Sequence, residues 1–288
     1  MSQPFDFEDA FSRNLGWVTP DEQQILRGKR VAVAGMGGVG GSEVITLARL
    51  GVGGFNIADF DIFEVANFNR QRGATMSSVG RPKVEVLRDM ILDVNPEAVI
   101  NVFEAGVTVE NAGDFLDDVD LFVDALDIYA LDIRRTIFAR CYEKDIPAVT
   151  AAPIGMGTAC LVFMPGKMSF DEYFDFEGSS SVDQTIKLII GVSPSFQQRR
   201  YLVYPEGLDF TEKRAPSTAI GVELAAGVAC TNALKILLGR GKIIVAPRGV
   251  QFDAYQNRMI KFWRPGGNRN PLQRLLFRAV KRSFAPES

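Results

Sequence analysis

The chain has 288 residues, of which 47% are apolar, and 32 basic against 35 acidic residues give a net charge of −3. This near-balance gives no global signal for nucleic-acid binding, so nucleic acid is an unlikely partner class by charge alone. The complete absence of histidine excludes a Ser-His-Asp triad, a Cys-His pair and any histidine-ligated zinc or haem.

The chain begins with a polar N-terminal extension, residues 1–28. Its acidic start differs from a signal peptide, and the Thr19-Pro20 pair predicts a helix up to Leu26. A Rossmann-like half, residues 29–165, follows. It is predicted to begin with a strand at Arg30–Ala34, a helix over 42–50 and a strand at Phe55–Asp59.

A glycine-rich turn joins the first strand to the first helix of this half. Its candidate ligand-binding residues are Gly35, Gly37, Gly38 and Gly40. Glycines between a strand and a helix, followed by Asp59 after the next strand, form the βαβ nucleotide fingerprint. We expect the helix N-terminus to face phosphate and Asp59 to accept a ribose hydroxyl.

Strands and helices continue to alternate up to residue 151, which predicts an α/β fold with a doubly wound, mainly parallel sheet. The further predicted elements are helices over 80–93, 110–116 and 129–143, and strands over 98–103, 121–124 and 147–151.

The pattern changes in the C-terminal half, where antiparallel strands are expected to extend the sheet. A crossover segment, 166–215, reads as irregular, with exposed aromatic residues and one apolar piece at 186–192. The part 216–263 combines a long helix over 217–238 with strand-like runs at 242–246 and 249–263. A basic tail, 264–288, has helical spacing of its leucines. No apolar run is expected to span a membrane.

Polar residues gather where the parallel strands end, which is where ligands bind in doubly wound sheets. Arg70, Lys83 and Asp127 are two cations and a carboxylate that is able to hold Mg²⁺. Together with Asn67 and Asn69 they suit a triphosphate better than the pyrophosphate of a dinucleotide. Lys83 is expected at the exposed start of a helix.

Five ordered motifs resemble the ThiF/MoeB family, whose adenylation fold is shared with ubiquitin-activating enzymes. The resemblance covers roughly residues 10–165 and 215–263. The motifs are Gly35-Met36-Gly37-Gly38-Val39-Gly40, Asp59-Phe60-Asp61, Asn67-Phe68-Asn69-Arg70-Gln71, Gly80-Arg81-Pro82-Lys83 and Asp124-Ala125-Leu126-Asp127.

The resemblance implies an ATP site and a role for each matching residue. It places Asp59 on the ATP ribose, Arg70 and Lys83 on the phosphates, and Asp127 on Mg²⁺, and it includes Asp61 among the ATP-binding residues. Asn67 would lie beside the phosphates. Ser12-Arg13-Asn14 is similar to the family's N-terminal motif, which implies a homodimer in which Arg13 reaches the partner's ATP site.

The implied reaction is ATP-dependent adenylation of a C-terminal carboxylate on a small ubiquitin-like carrier protein or a peptide. Segment 166–215 would then recognise the acceptor. Many relatives carry two C-x-x-C pairs for zinc and a reactive cysteine in this segment, and both are missing here. We therefore expect no zinc and no enzyme thioester. Cys141, Cys160 and Cys230 lie within predicted helices or strands and are expected to be buried. Three cysteines far apart in the sequence suggest a reducing, cytoplasmic location.

Three other functions remain open from the sequence. An NAD(H)-binding oxidoreductase is favoured by Asp59 but fits Lys83 and Asp127 poorly. A dehydratase-like enzyme that activates a carboxylate on modified tRNA is supported only by the basic tail. A non-catalytic scaffold is disfavoured by the complete set of ATP-site residues.

Overall fold

A computed structural model describes residues 4–204 and 215–283 of the chain. Its eight-stranded sheet has the order β3-β2-β1-β4-β5-β6-β7-β8. The strands are β1 Arg30–Ala34, β2 Gly54–Ala58, β3 Val99–Phe103, β4 Leu121–Asp124, β5 Ala148–Ile154, β6 Gly157–Phe163, β7 Arg248–Asp253 and β8 Arg258–Trp263. The helices are α1 Phe7–Phe11, α2 Pro20–Arg27, α3 Gly38–Arg49, α4 Lys83–Val94, α5 Ala112–Phe115, α6 Leu131–Glu143, α7 Phe170–Phe174, α8 Ser181–Val192, α9 Ala219–Leu237 and α10 Pro271–Ser283.

The predicted fold class is confirmed. Strands β1 to β5 pair in parallel, and β6, β7 and β8 add to β5 in antiparallel order. Two hydrophobic clusters cover the two faces of the sheet. One is formed largely by α3, α4 and α9, and the other by α5 to α8. Burial of both faces explains why β1 and β4 read as continuous apolar runs.

The strand-like runs near the C-terminus differ from the prediction. Residues 242–246 form no strand, although the Ala246 N–H donates to the Val162 carbonyl at 2.9 Å. The run 249–263 is a hairpin of β7 and β8, which turns at residues 254–257.

Helix α9 corrects the expectation that no apolar segment could span a membrane. It is long and apolar enough to do so by length and composition. Its buried residues, among them Val222, Ala225 and Ala229, belong to the main hydrophobic cluster with α3 and β5. The apolar length of α9 is accounted for by its position as a core helix against the sheet.

The crossover segment also differs from the prediction, because its described part, 166–204, is mostly helical. It contains α7, α8 and a 3-10 turn at Gln197–Arg200. Ser169 and Glu172 form a capping box that starts α7. Residues 205–214, including Lys213 and Arg214, lie outside the described part, as do residues 284–288 of the basic tail.

The aromatic residues of this segment were expected to be exposed, and most of them are not. Phe170, Tyr173, Phe174 and Phe176 are buried, whereas Tyr204 is exposed. Their rings pack on one another and on α6 and β6. The Phe170 ring stacks on Phe138 with 4.1 Å between centroids. These side chains belong to the second hydrophobic cluster. They are buried because α7 and α8 cover the sheet face on that side, which would otherwise be exposed to water.

Candidate functional site

The glycine-rich turn after β1 is tightly enclosed. Gly35 has φ +96°, and a Cβ there would overlap the Ala125 carbonyl oxygen. A Cβ on Gly40 would overlap the Gly35 carbonyl oxygen. Both positions therefore require glycine. Helix α3 begins at Gly38, four residues before its predicted start, and has no side-chain cap. Its first backbone N–H groups consequently face the crevice without intrahelical partners, where an anion binds well.

Asp59 links this turn to the loop after β2. Its Oδ2 accepts the Met36 N–H at 2.6 Å, and its Oδ1 accepts the Asp61 N–H at 2.8 Å. Each carboxylate oxygen retains a further acceptor site. Asp59 thus lies beside the glycine turn, in the position from which a ribose hydroxyl can be bound.

Lys83 is the first residue of α4, as expected, but it is buried and not exposed. Only 5% of its surface is accessible. Its Nζ lies 2.9 Å from Asp61 Oδ2, and its N–H donates to the Asp61 carbonyl at 2.9 Å. Burial of the four-carbon stem fixes where the ammonium lies, and two of its three donors remain for a ligand. The prediction was therefore wrong about the exposure of Lys83, while its contact with Asp61 connects it through Asp59 to the glycine turn.

Arg70 borders the start of α3 through its backbone. The Arg70 carbonyl oxygen lies 3.5 Å from the position of a Cβ on Gly38. Its Nη1 donates to the Ala66 carbonyl at 3.0 Å and to Asn69 Oδ1 at 2.8 Å. The guanidinium is thus held by its own loop, and the backbone of Arg70 lies beside the helix N-terminus.

The two asparagines have different structural roles. Asn67 Oδ1 accepts the Glu64 N–H at 2.9 Å and shapes the turn before Arg70. Asn69 Nδ2 donates to the Ser217 carbonyl at 2.9 Å, which ties the loop to the start of α9.

Asp127 lies beyond the end of β4 and is exposed. Its Oδ1 accepts the Tyr129 N–H at 2.9 Å. The described residues contain no cluster of three metal-ligating His, Cys, Asp or Glu side chains. One exposed carboxylate at this edge nevertheless fits the way Mg²⁺ binds with nucleotides, through one or two carboxylates together with phosphate oxygens and water.

Arg13 lies far from the glycine turn of its own chain. The neighbouring Asn14 donates to the carbonyl of Arg49, the last residue of α3, at 3.3 Å. The glycine turn is at the other end of this helix, about 16 Å away at a rise of ~1.5 Å per residue. Arg13 therefore cannot complete the nucleotide site of its own chain in this conformation.

The prediction that the three cysteines are buried is confirmed. Burial raises the pKa of Cys160 to about 12. It also raises the pKa of Cys141 and Cys230, with the nearby Asp124 charge adding to the effect at Cys141. None of the three supplies a thiolate nucleophile near neutral pH.

Three buried polar residues were not assigned a role from the sequence. Gln71 packs against Gly37, and its Oε1 has no hydrogen-bond partner in the described structure. Glu43 is 0% exposed within α3, and neither of its carboxyl oxygens has a described partner. Burial, with a smaller effect of the Asp124 charge, raises the pKa of Glu43 well above 4.5. Arg134 forms a buried ion pair with Asp124. Glu43 and Arg134 each occupy a helix position that is otherwise apolar, and this pattern could have indicated from the sequence that they are buried.

The sequence matches the ThiF family over residues 11–275. It is 35% identical over 142 residues to the tRNA threonylcarbamoyladenosine dehydratase of Bacillus subtilis, which covers 49% of this chain and 55% of that protein. It is 33% identical over 143 residues to the molybdopterin-synthase adenylyltransferase of Escherichia coli, which covers 50% of this chain and 57% of that protein. The chain thus spans little more than half the length of these relatives. A crystal structure of E. coli MccB with ATP has the same fold, with TM-score 0.66, 20% identity and coverage of 88% and 71% of the two chains.

Proposed function

The chain belongs to the ThiF family, and from this we propose that it is an ATP-dependent adenylyltransferase. Its substrate would be the C-terminal carboxylate of a ubiquitin-like sulfur-carrier protein or of a peptide. The observation that carries the proposal is the meeting of the glycine turn, Asp59, Arg70, Lys83 and Asp127 at one edge of the sheet. The 33% identity to a molybdopterin-synthase adenylyltransferase adds support.

Binding of ATP would use the fixed groups of this edge. Asp59 would accept a ribose hydroxyl, while the N-terminus of α3 would donate to phosphate oxygens. Arg70 and Lys83 would balance the phosphate charge from the other side. Asp127, with the phosphate oxygens, would hold Mg²⁺, which would neutralise phosphate charge when bound.

In the reaction, a carboxylate oxygen of the acceptor would attack the α-phosphorus of ATP. The bond from the α-phosphorus to the bridging oxygen would break, and pyrophosphate would leave with the electron pair. The carboxylate is already ionised at neutral pH, so this step needs no general base and is compatible with a chain without histidine. The main contribution of Lys83 and Arg70 would be stabilisation of the charge that develops on the phosphates.

The acyl-adenylate would pass directly to another nucleophile and not to a cysteine of this chain. The pKa of each cysteine is raised by burial, and the described crossover segment contains no cysteine. We further propose a cytoplasmic location, since three unpaired thiols suit a reducing compartment.

A homodimer would complete the site. Arg13 is exposed on the N-terminal segment, which also exposes the apolar side chains of Leu15, Trp17 and Ile25. A second exposed apolar group lies on the loop that also carries Arg70, and it consists of Phe60, Ile62, Val65 and Met76. In a two-fold dimer each of these surfaces could cover the other, so that Arg13 would reach the partner's phosphates.

A second candidate function is a dehydratase that activates a carboxylate on modified tRNA. It is favoured by the 35% identity to the tRNA-modifying relative. The exposed basic residues of α10, including Arg274 and Arg278, add weak support. Both candidates use the same adenylation step, so the acceptor distinguishes them.

Two measurements test the proposal. Calorimetry of the purified protein should detect binding of ATP and not of NAD. Pyrophosphate exchange into ATP should then depend on an added acceptor, either a small sulfur-carrier protein, a peptide or modified tRNA. Binding of NAD in place of ATP would contradict the proposal, whereas exchange that requires tRNA would favour the second candidate.

A further inference from the structure

A buried ion pair lies directly beneath the turn that carries Asp127. Arg134, on the first turn of α6, donates through Nε to both carboxylate oxygens of Asp124, at 2.9 and 3.2 Å. Both side chains are almost fully buried. Removing two charges from water is costly, so a buried ion pair is weak evidence for a stabilising role. The other hydrogen bonds of Arg134 and Asp124 indicate the role of this ion pair.

The guanidinium also binds the backbone of the turn. Its Nη1 donates to the Asp127 carbonyl at 3.1 Å, and its Nη2 donates to the Leu126 carbonyl. The Leu126 N–H, in the preceding peptide, donates to Asp124 Oδ1 at 3.2 Å. The planar guanidinium makes these contacts from three separate nitrogens in a rigid fork, whereas an ammonium group would have to make them from a single nitrogen.

The opposite side of the turn lies against the glycine-rich loop. The Ala125 N–H donates to the Ala34 carbonyl at 3.1 Å, and Ala125 leaves no room for a Cβ on Gly35. Residues 125–127 are therefore enclosed between the nucleotide edge on one side and Arg134 on the other. The glycine-rich loop and Arg134 together fix the backbone of this turn, and the backbone sets the direction of the Asp127 side chain.

We propose that Arg134 is a positioning residue for Asp127. It does not touch the nucleotide. It holds the Leu126 and Asp127 carbonyls so that the Asp127 carboxylate faces the phosphate edge in a fixed direction. The proposal rests on the proposed function, in which Asp127 holds the magnesium ion of ATP. Loss of such a supporting contact typically lowers metal affinity about 10- to 100-fold.

The test is a double-mutant cycle on ATP affinity, measured by calorimetry with and without Mg²⁺. The variants are Arg134→Lys, Asp127→Asn and the two combined, with Arg140→Lys as the control. Arg140 lies on the same helix and forms an exposed pair with Glu143. The cycle separates a residue that acts through Asp127 from one that acts independently.

In Arg134→Lys, the factor by which Mg²⁺ increases ATP affinity should be about tenfold smaller than in the wild type. The ATP affinity without metal should change less than about twofold. The double variant should equal Asp127→Asn alone. Hydrogen exchange at the Tyr129 amide, which donates to Asp127 Oδ1, should accelerate in Arg134→Lys. Arg140→Lys should match the wild type in all three measurements.

Additive effects in the cycle, or an equal loss of affinity without metal, would overturn the inference. If Arg134→Lys does not fold, the pair Asp124→Asn/Arg134→Gln replaces it, because it leaves no unpaired buried charge. The same expectations apply to that pair. If the wild type bound no ATP, both the inference and the proposed function would fail. If ATP binding depended on Asp127 but not on Arg134, only the inference would fail.

Discussion

The loop between β2 and α4 and the crossover segment 166–204 show the reverse of what their compositions suggest. The loop carries three of the six charged site residues, yet it exposes Phe60 at 78% and Met76 at 77%. The crossover segment is rich in aromatic residues, yet it buries Phe170, Tyr173 and Phe174. The aromatic residues of the crossover segment are buried because they cover one face of the sheet. The exposed apolar residues of the loop cover no sheet face, so they indicate a contact surface for another molecule.

A pair of phenylalanine substitutions tests this comparison most directly. Phe174→Ala should lower the free energy of unfolding by about 3–5 kcal/mol, because a large side chain leaves the core beside Phe170 and Phe176. Phe60→Ala should change it by no more than about 0.5 kcal/mol. Chemical denaturation followed by fluorescence or circular dichroism measures both. Equal stability of the two variants would mean that the crossover segment is not part of the core.

Lys83→Met should lower pyrophosphate exchange about 100- to 1000-fold, in line with the loss of one fixed group that stabilises developing charge. Methionine retains most of the buried stem, so the melting temperature should change little. Lys29→Met is the matched control, because Lys29 pairs with Asp120 at 2.8 Å at the opposite edge of the sheet. Comparable loss of exchange in both variants would argue for a general effect and against a phosphate contact at Lys83.

Mixing two inactive variants tests whether Arg13 acts across a dimer. Arg13→Ala and Lys83→Ala should each be nearly inactive alone. After subunit exchange, heterodimers would contain one intact site, and about a quarter of wild-type exchange activity should return. Light scattering and mass spectrometry of the mixture check that heterodimers form. Heterodimers without activity would contradict the assignment of Arg13 to the partner's site.

The sequence predicted some of these residue positions and not others. Gly35, Gly40 and Asp59 could be placed because strand, turn and acid are close in sequence and have one common geometry. The burial of Lys83 could not be predicted, since it depends on Asp61, 22 residues earlier. The buried aromatic residues of 166–204 could not be placed either, because only the folded sheet shows which face lacks cover. The pairing of Asp124 with Arg134 required the position of α6 relative to β4.

Replacing the three cysteines together should leave acyl-adenylate formation intact. The substitutions Cys141→Ala, Cys160→Ala and Cys230→Ala remove buried side chains, so the expected loss of stability is about 1–3 kcal/mol. Mass spectrometry of the acceptor adenylate measures the activity. A reducing-agent-sensitive adduct between the wild-type chain and its acceptor, lost in one single-cysteine variant, would show instead that a thioester forms.

The smallest expected effect concerns Glu43 and the dependence of stability on pH. Burial, followed by the Asp124 charge, raises the pKa of Glu43 well above 4.5 in the folded state. Cys160 and Cys230 also face it, and their pKa values are raised, so near neutral pH they stay protonated. Its contribution to stability is therefore complete below about pH 4.5 and is lost as pH rises towards the folded pKa, at up to ~1.4 kcal/mol per pH unit.

Glu43→Gln keeps the shape of the protonated carboxyl group but cannot titrate. Its stability relative to the wild type should therefore increase between pH 5 and pH 7, because only the wild type bears the cost of ionising a group inside the core. Urea denaturation of both proteins at several pH values measures the difference. A constant difference across this range would mean that Glu43 has an ordinary pKa, and that its carboxylate has reached a compensating partner between α3 and α9.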